Sequence, residues 1–162
     1  MRELRFETLV RGRTATLIAL AVVVADQLTK YWARTNLVGS PITVIPGFLS
    51  WEYAENTGAA FGVLRGSGAG MVLGMAAVVA IGIVSYAISQ ASRTAEVVGL
   101  ALVGGGAAGN LVDRITNSDR FLAGFVVDWI RLPNFPNFNI ADSSITVGAA
   151  LLIWMAWRAD GH

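Results

Sequence analysis

Hydrophobic and polar positions along the chain separate into four long apolar stretches and two segments of different texture. Residues 14–33 surround the run LIALAVVVA, with Arg11 and Arg13 before it and Arg34 after it. Residues 68–90 contain no charged side chain, and neither do the shorter stretches 97–112 and 143–157. A hydrocarbon core about 30 Å thick needs about 20 apolar helical residues, so the two short stretches must recruit flanking residues, the fourth from position 141, or thin the bilayer locally. The pattern predicts four transmembrane helices over 14–33, 68–90, 97–112 and 141–157. The first is read as retained rather than as a cleaved signal peptide, because it contains Asp26, Gln27 and Lys30 and lacks a small-residue cleavage site at its end.

The segment 40–65, SPITVIPGFLSWEYAENTGAAFGVLR, mixes β-branched and aromatic residues with Pro41, Pro46, Gly47 and Gly58, which predicts a small sheet or hairpin. Irregular backbone is not tolerated against lipid, so this element belongs outside the bilayer core. The segment 113–139 holds FVVDWI followed by PNFPNFN, a short element and then a rigid loop. The fold class expected is an all-α membrane protein, four transmembrane helices with a small extracytoplasmic β-sheet or hairpin between the first two, in a single domain over residues 1–162.

Composition narrows the chemistry. Of 162 residues 54% are hydrophobic and 14% charged, against about 25% charged in soluble domains. A net charge of +1 provides no basic surface for nucleic acid. Without cysteine, disulfides, thiolate metal sites and thiol nucleophiles are excluded, and the only histidine is the terminal His162. No metal site and no cofactor are expected. Arg2, Arg5, Arg11 and Arg13 ahead of the first span favour a cytoplasmic N-terminus, and four spans return the C-terminus to the same side. The whole-chain arginine balance, six inside against five outside, adds little to that argument.

Ionisable residues at membrane depth are functional suspects by default. Asp26 and Lys30 stand at i,i+4 and either neutralise each other near the interface, Lys30 snorkelling, or support a site. Asp113 and Arg114 end the third span, where charges usually anchor. Asp142 opens the fourth and could act as a helix cap. Asp128, between Val127 and Trp129 in an apolar run, is the carboxylate least easily explained by solvation. The run GGGAAG at 104–109 fits the dinucleotide-binding pattern, but it lies in an apolar helix with no strand before it, and close helix packing explains it better.

Five ordered blocks carry a resemblance over nearly the whole chain: DQLTK at 26–30, ENTGAAFG at 55–62, GGAAGNLVDR at 105–114, VVDWI at 126–130 and FNIADSSITVG at 138–148. In these the chain closely resembles lipoprotein signal peptidase, or signal peptidase II, a bacterial family of intramembrane aspartyl proteases. The resemblance implies a catalytic dyad of Asp128 and Asp142, substrate-side roles for Asn56, Asn110, Arg114 and Asn139, and support from Asp26 and Lys30. It implies an aspartic endopeptidase that removes signal peptides from diacylglyceryl-modified prolipoproteins, cutting before the lipid-modified cysteine. It further implies a multi-pass protein of the bacterial inner membrane, both termini cytoplasmic and the site near the outer leaflet, surrounded by lipid, monomeric, and open to globomycin-type inhibitors. The stretch between Arg114 and Asp128 is longer than the family's usual spacing and reads as a loop insertion.

Two carboxylates without histidine, cysteine or metal can share one proton, one activating water as base and the other protonating the oxyanion and leaving amine as acid. Two other classes fit parts of the pattern. A serine–lysine peptidase would use Lys30 with Ser40 or Ser50, although Asp26 one turn away favours the protonated lysine. A small transporter or channel subunit would use the same intramembrane Asp and Lys residues and leaves 40–65 without a purpose.

Overall fold

The computed structural model describes residues 2–58, 69–118 and 121–160. The second half of the ENTGAAFG block (59–62), Arg65, Gly68, Asp119, Arg120 and His162 lie outside them. The chain forms α1 (Arg2–Asn36), β1 (Ile42–Ile45), β2 (Leu49–Asn56), α2 (Ala69–Gln90), α3 (Thr94–Thr116), β3 (Val126–Arg131) and α4 (Ile140–Asp160). Among the described residues four helices are long and apolar enough to cross a membrane. Each expected span is present, and α1, α3 and α4 run beyond the limits read from the sequence. The uncharged run of α3 stops at Asp113 but the helix does not. Asp113 and Arg114 are buried and partnered inside the protein rather than anchored at an interface.

Helix α3 packs against α1, α2 and α4. Lipid tails are as apolar as leucine, so helices in a bilayer associate through close packing rather than through the hydrophobic effect. The GGGAAG run provides that closeness. A Cβ at Gly106 would collide with the Ala141 carbonyl, and one at Gly109 would lie 2.7 Å from Asp26 Oδ2. At the far end of the bundle the Arg11 guanidinium donates to the Ala91 carbonyl at 3.0 Å, which ties the third turn of α1 to the connection between α2 and α3.

The expected hairpin between the first two helices is present as β1 and β2, turning at Pro46 and Gly47, where Gly47 holds φ +73°. The element after α3 adds a third strand to it. The sheet is antiparallel in the order β1-β2-β3, with Asn56 opposite Val126 and Ala54 opposite Asp128. What joins this sheet to the bundle is aromatic. Trp32 of α1, Trp51 of β2 and Trp129 of β3 meet edge to face, with ring centroids 5.3 Å, 5.8 Å and 6.1 Å apart. Ala33, Leu37 and Val127 fill the space behind them. Such ring pairs contribute about 0.5–1.5 kcal/mol each beyond the area they bury.

Trp32→Ala removes two of the three ring contacts and is expected to cost about 2–4 kcal/mol, less than a fully buried tryptophan because Trp32 is half-buried. Trp32→Phe should recover most of the loss. Thermal unfolding of the protein in detergent measures both, and an unchanged midpoint for Trp32→Ala would mean that the sheet is held to α1 by other contacts.

Candidate active site

Asp128 lies in the middle of β3, and its apolar neighbours follow from burial on both faces of that strand. Asp142 occupies the first turn of α4. Asn139 precedes that helix and forms a reciprocal cap with it. Its Oδ1 accepts the Asp142 N–H at 2.9 Å, while its own N–H donates to Asp142 Oδ2 at 3.3 Å. The cap is therefore Asn139 rather than Asp142, which returns a bond from inside the first turn with one oxygen and leaves the other for Asn110.

Three amides hold the two carboxylates, and one of them, Asn139, bonds both. Asn139 Nδ2 donates to Asp128 Oδ1 at 2.7 Å and also reaches the Val127 carbonyl and Asn110 Oδ1, each at 3.2 Å. Asn56, a diagonal neighbour of Asp128 on the sheet face, donates to Asp128 Oδ2 at 3.0 Å. Asn110 donates to Asp142 Oδ1 at 2.8 Å. Each amide is oriented by an obligate donor on its oxygen: Gly58 N–H on Asn56, Asp142 N–H on Asn139, and the Lys30 ammonium on Asn110. With the oxygens so occupied, the three NH2 groups must face the carboxylates.

Behind the amides lies a fully buried set of charges. Lys30 Nζ is 2.7 Å from Asp26 Oδ2, 3.2 Å from Asp113 Oδ2 and 3.0 Å from Asn110 Oδ1. Arg34 approaches Asp113 Oδ1 at 3.3 Å, and Gln27 donates to Asp26 and to the Gly109 carbonyl. Lys30 and Asp26 are 1% and 0% exposed, so the pair does not snorkel at an interface. All three ammonium donors are engaged by carboxylates and an amide, which leaves none for the Ser40 or Ser50 hydroxyl of a serine–lysine arrangement.

The structure places Asn56, Asn110 and Asn139 against the carboxylate pair and Asp26 and Lys30 behind them. Arg114 is buried nearby, but its guanidinium donates to the Gly124 carbonyl at 3.0 Å, and the Gly124 N–H returns a bond to the Arg114 carbonyl. The long connection from Arg114 to Asp128 is thereby tied to the end of α3, further secured by Asn117 on the Phe125 carbonyl. Sequence reasoning missed Asp113, which it took for an anchor. It is 0% exposed and accepts the Val127 N–H at 2.8 Å as well as Lys30 and Arg34. The spacing of Asn110 and Asp113 at i,i+3 on one helix face was the available signal.

A cleft of about 250 Å³ opens beside Asp128, between Asn56 and Thr57 on one side and Pro136 and Asn137 on the other. Burial, followed by the charge of Asp142, pushes the Asp128 carboxyl up to about 7, against the lowering effect of Asn56, Asn139 and Lys30. A carboxyl that exchanges its proton near neutrality, beside a second carboxylate and an open cleft, can serve acid–base chemistry on water and a carbonyl.

The model of the family described as signal peptidase (SPase) II matches residues 18–158. The chain belongs to the signal peptidase II family. It is 43% identical over 137 residues to the lipoprotein signal peptidase of Symbiobacterium thermophilum, covering 83% of this chain and 88% of that protein. It is 38% identical over 144 residues to the lipoprotein signal peptidase of Synechocystis, covering 86% and 85%. Two solved structures of a bacterial membrane enzyme obtained by the in meso method, at 2.3 Å and 1.9 Å resolution, superpose with TM-scores of 0.77 and 0.75 at 35% and 36% identity. They cover 91% and 88% of this chain, and it covers 90% and 92% of theirs. Membership makes the protein a membrane peptidase of the signal peptidase II type, with four membrane-capable helices, and leaves the transporter or channel reading without support.

Lys30 and Arg34 of this signal peptidase II both reach Asp113, but Lys30 is 1% exposed and Arg34 36%. Lys30→Met removes the ammonium shared by two buried carboxylates, leaving Asp26 without a cation, and is expected to destabilise by about 3–5 kcal/mol. Arg34→Ala should cost under about 1 kcal/mol, since solvent screens its contact. Thermal unfolding of the two variants in detergent compares them, and equal losses would contradict the central place given to Lys30.

Proposed function

We propose that Asp128 and Asp142 form the catalytic dyad with which this signal peptidase II removes signal peptides from diacylglyceryl-modified bacterial prolipoproteins, cleaving before the lipid-modified cysteine. The observation that carries the reading is the sharing of Asn139 between the two carboxylates. Its side chain donates to Asp128 and its backbone N–H to Asp142, so one residue sets β3 against the start of α4.

The chemistry follows from that placement. Two neighbouring carboxylates in a poorly solvated site hold one proton between them. Burial and the neighbouring charge favour that proton on Asp128, leaving the Asp142 carboxylate to take a proton from water as it attacks the scissile carbonyl. Asp128 protonates the developing oxyanion to give a gem-diol; as this collapses, Asp142 passes the proton it took from water to the departing amine and Asp128 recovers one from a gem-diol hydroxyl, which restores the starting state. No acyl-enzyme forms. Asn56, Asn110 and Asn139 hold the carboxylates, and Arg114 belongs to the substrate side. Lipid access suits a substrate whose signal helix and acyl chains already lie in the bilayer. The enzyme acts as a monomer in the bacterial inner membrane with both termini cytoplasmic, and globomycin-type inhibitors occupy the same site.

Asp128→Asn and Asp142→Asn should each abolish cleavage of a lipid-modified prolipoprotein by the purified protein in detergent, while thermal unfolding stays near that of the unsubstituted chain. An amide neither gives nor takes the required proton, so near-normal turnover by either variant would remove the dyad. The raised carboxyl of Asp128 fixes a sign as well. It is active while protonated, so kcat/KM should fall as pH rises through about 7. Asn56→Ala deletes a bond that favours the ionised form and should move this fall to higher pH. A fall unchanged or moved to lower pH would contradict the acid role of Asp128.

Topology is tested separately. In this cysteine-free chain, a single cysteine at Ser50 should react in whole cells with an impermeant thiol reagent, and one at Ser92 only after the membrane is opened. The reverse labelling would invert the orientation and place the dyad at the inner leaflet.

A further inference from the structure

Each of the two aspartates is preceded in the chain by a residue whose backbone N–H is held by another buried carboxylate. Val127 N–H donates to Asp113 Oδ2 at 2.8 Å, and Ala141 N–H donates to Asp26 Oδ1 at 3.0 Å. Neither N–H has an alternative inside its own element. Among the described residues β3 ends the sheet, with β2 on one side and on the other only Phe138, which bridges Ile130 and does not reach Val127, and Ala141 lies in the first turn of α4, where helix N–H groups have no carbonyl of their own helix to pair with. The two holding carboxylates share one cation, since Lys30 Nζ is 2.7 Å from Asp26 Oδ2 and 3.2 Å from Asp113 Oδ2. All three side chains are at most 1% exposed.

We propose that Asp113, Lys30 and Asp26 form a strut that sets the separation of Asp128 and Asp142, with Asp113 and Asp26 acting as positioning residues through the backbone N–H groups of Val127 and Ala141. The inference rests on the dyad reading above. It adds Asp113 to the machinery and gives the charge cluster a metric role rather than one of charge balance. The strut ends one residue short of each aspartate, so a slack hold displaces the carboxylate almost as far as the backbone. Its members come from α1 and α3, whose close approach at Gly109 leaves them little freedom to shift.

The test separates the hydrogen bond from the charge. Asp113→Asn and Asp26→Asn keep an oxygen for the backbone N–H and lose the charge, whereas Asp113→Ala and Asp26→Ala lose both. With the full chain in detergent and a lipid-modified prolipoprotein as substrate, the asparagine variants should cleave within about tenfold of the unsubstituted protein. The alanine variants should lose roughly 100-fold in kcat, as misplacement by about 1 Å does, with KM within about twofold. Equal impairment of the asparagine and alanine variants, fully active alanine variants, or a loss confined to KM would each overturn the strut. If the alanine variants do not fold, the asparagine variants decide: turnover within about tenfold supports the strut, and a loss as deep as that of Asp128→Asn overturns it. The dyad reading fails differently, through an Asp128→Asn or Asp142→Asn variant that still cleaves.

Discussion

The arrangement at the sheet end of the bundle depends on one buried ammonium. Lys30 touches Asp26 on its own helix and both Asn110 and Asp113 on α3, and through these it reaches β3 and α4. Two acids and two bases, Asp26 and Asp113 with Lys30 and Arg34, leave the cluster neutral. Such clusters are a poor source of net stability, because desolvation offsets most of the Coulomb gain, but breaking one is costly. Their effect is therefore on specificity. In a bilayer, where apolar surfaces slide past one another at little cost, a cation that must meet three fixed acceptors selects a single register of α1 on α3.

The immediate surroundings of Asp128 and Asp142 are, by contrast, amides. Asn56, Asn110 and Asn139 give the carboxylates hydrogen bonds without placing a full positive charge against them, and Asn110 stands between Lys30 and Asp142 as a neutral spacer. Direct contact with the ammonium would hold a carboxylate ionised. Mediated contact orients it and leaves a shared proton available for exchange. The site thus separates the task of holding geometry, given to ions, from the task of tuning proton affinity, given to neutral dipoles and burial.

Much of this was legible in the chain. Asp128 was conspicuous because nothing in VVDWI explains a carboxylate, and Asp26 with Lys30 because an i,i+4 pair inside an apolar run needs a reason. The four helices followed from long apolar runs almost free of charge, and the hairpin from β-branched and aromatic residues broken by turn residues. Asp113 was hidden because it ends an uncharged run, the position where an interfacial anchor is the ordinary explanation, and its partners lie on other elements. The third strand was hidden for the same reason, since β3 pairs with β2 across the whole of α2 and α3. The three amides came only from the family resemblance. One of them left a physical trace, the Asn139 to Asp142 spacing of a reciprocal helix cap.

The bond between Asp26 and Lys30 has a further consequence for how the protein is made. A chain synthesised from its N-terminus delivers α1 to the bilayer before α3 exists, so for an interval neither Asp113 nor Asn110 can receive the ammonium. Asp26, one turn away on the same helix, neutralises it meanwhile, and α1 enters the membrane as a dipole rather than as a helix with an isolated charge. When α3 arrives, Lys30 gains acceptors without giving up the first. Asp142 and the N–H of Ala141 come with α4, which follows α3 in the chain. Before α4 joins, the chain can therefore rest in the membrane with its buried charges paired, but the pair of carboxylates at the candidate site is not yet assembled.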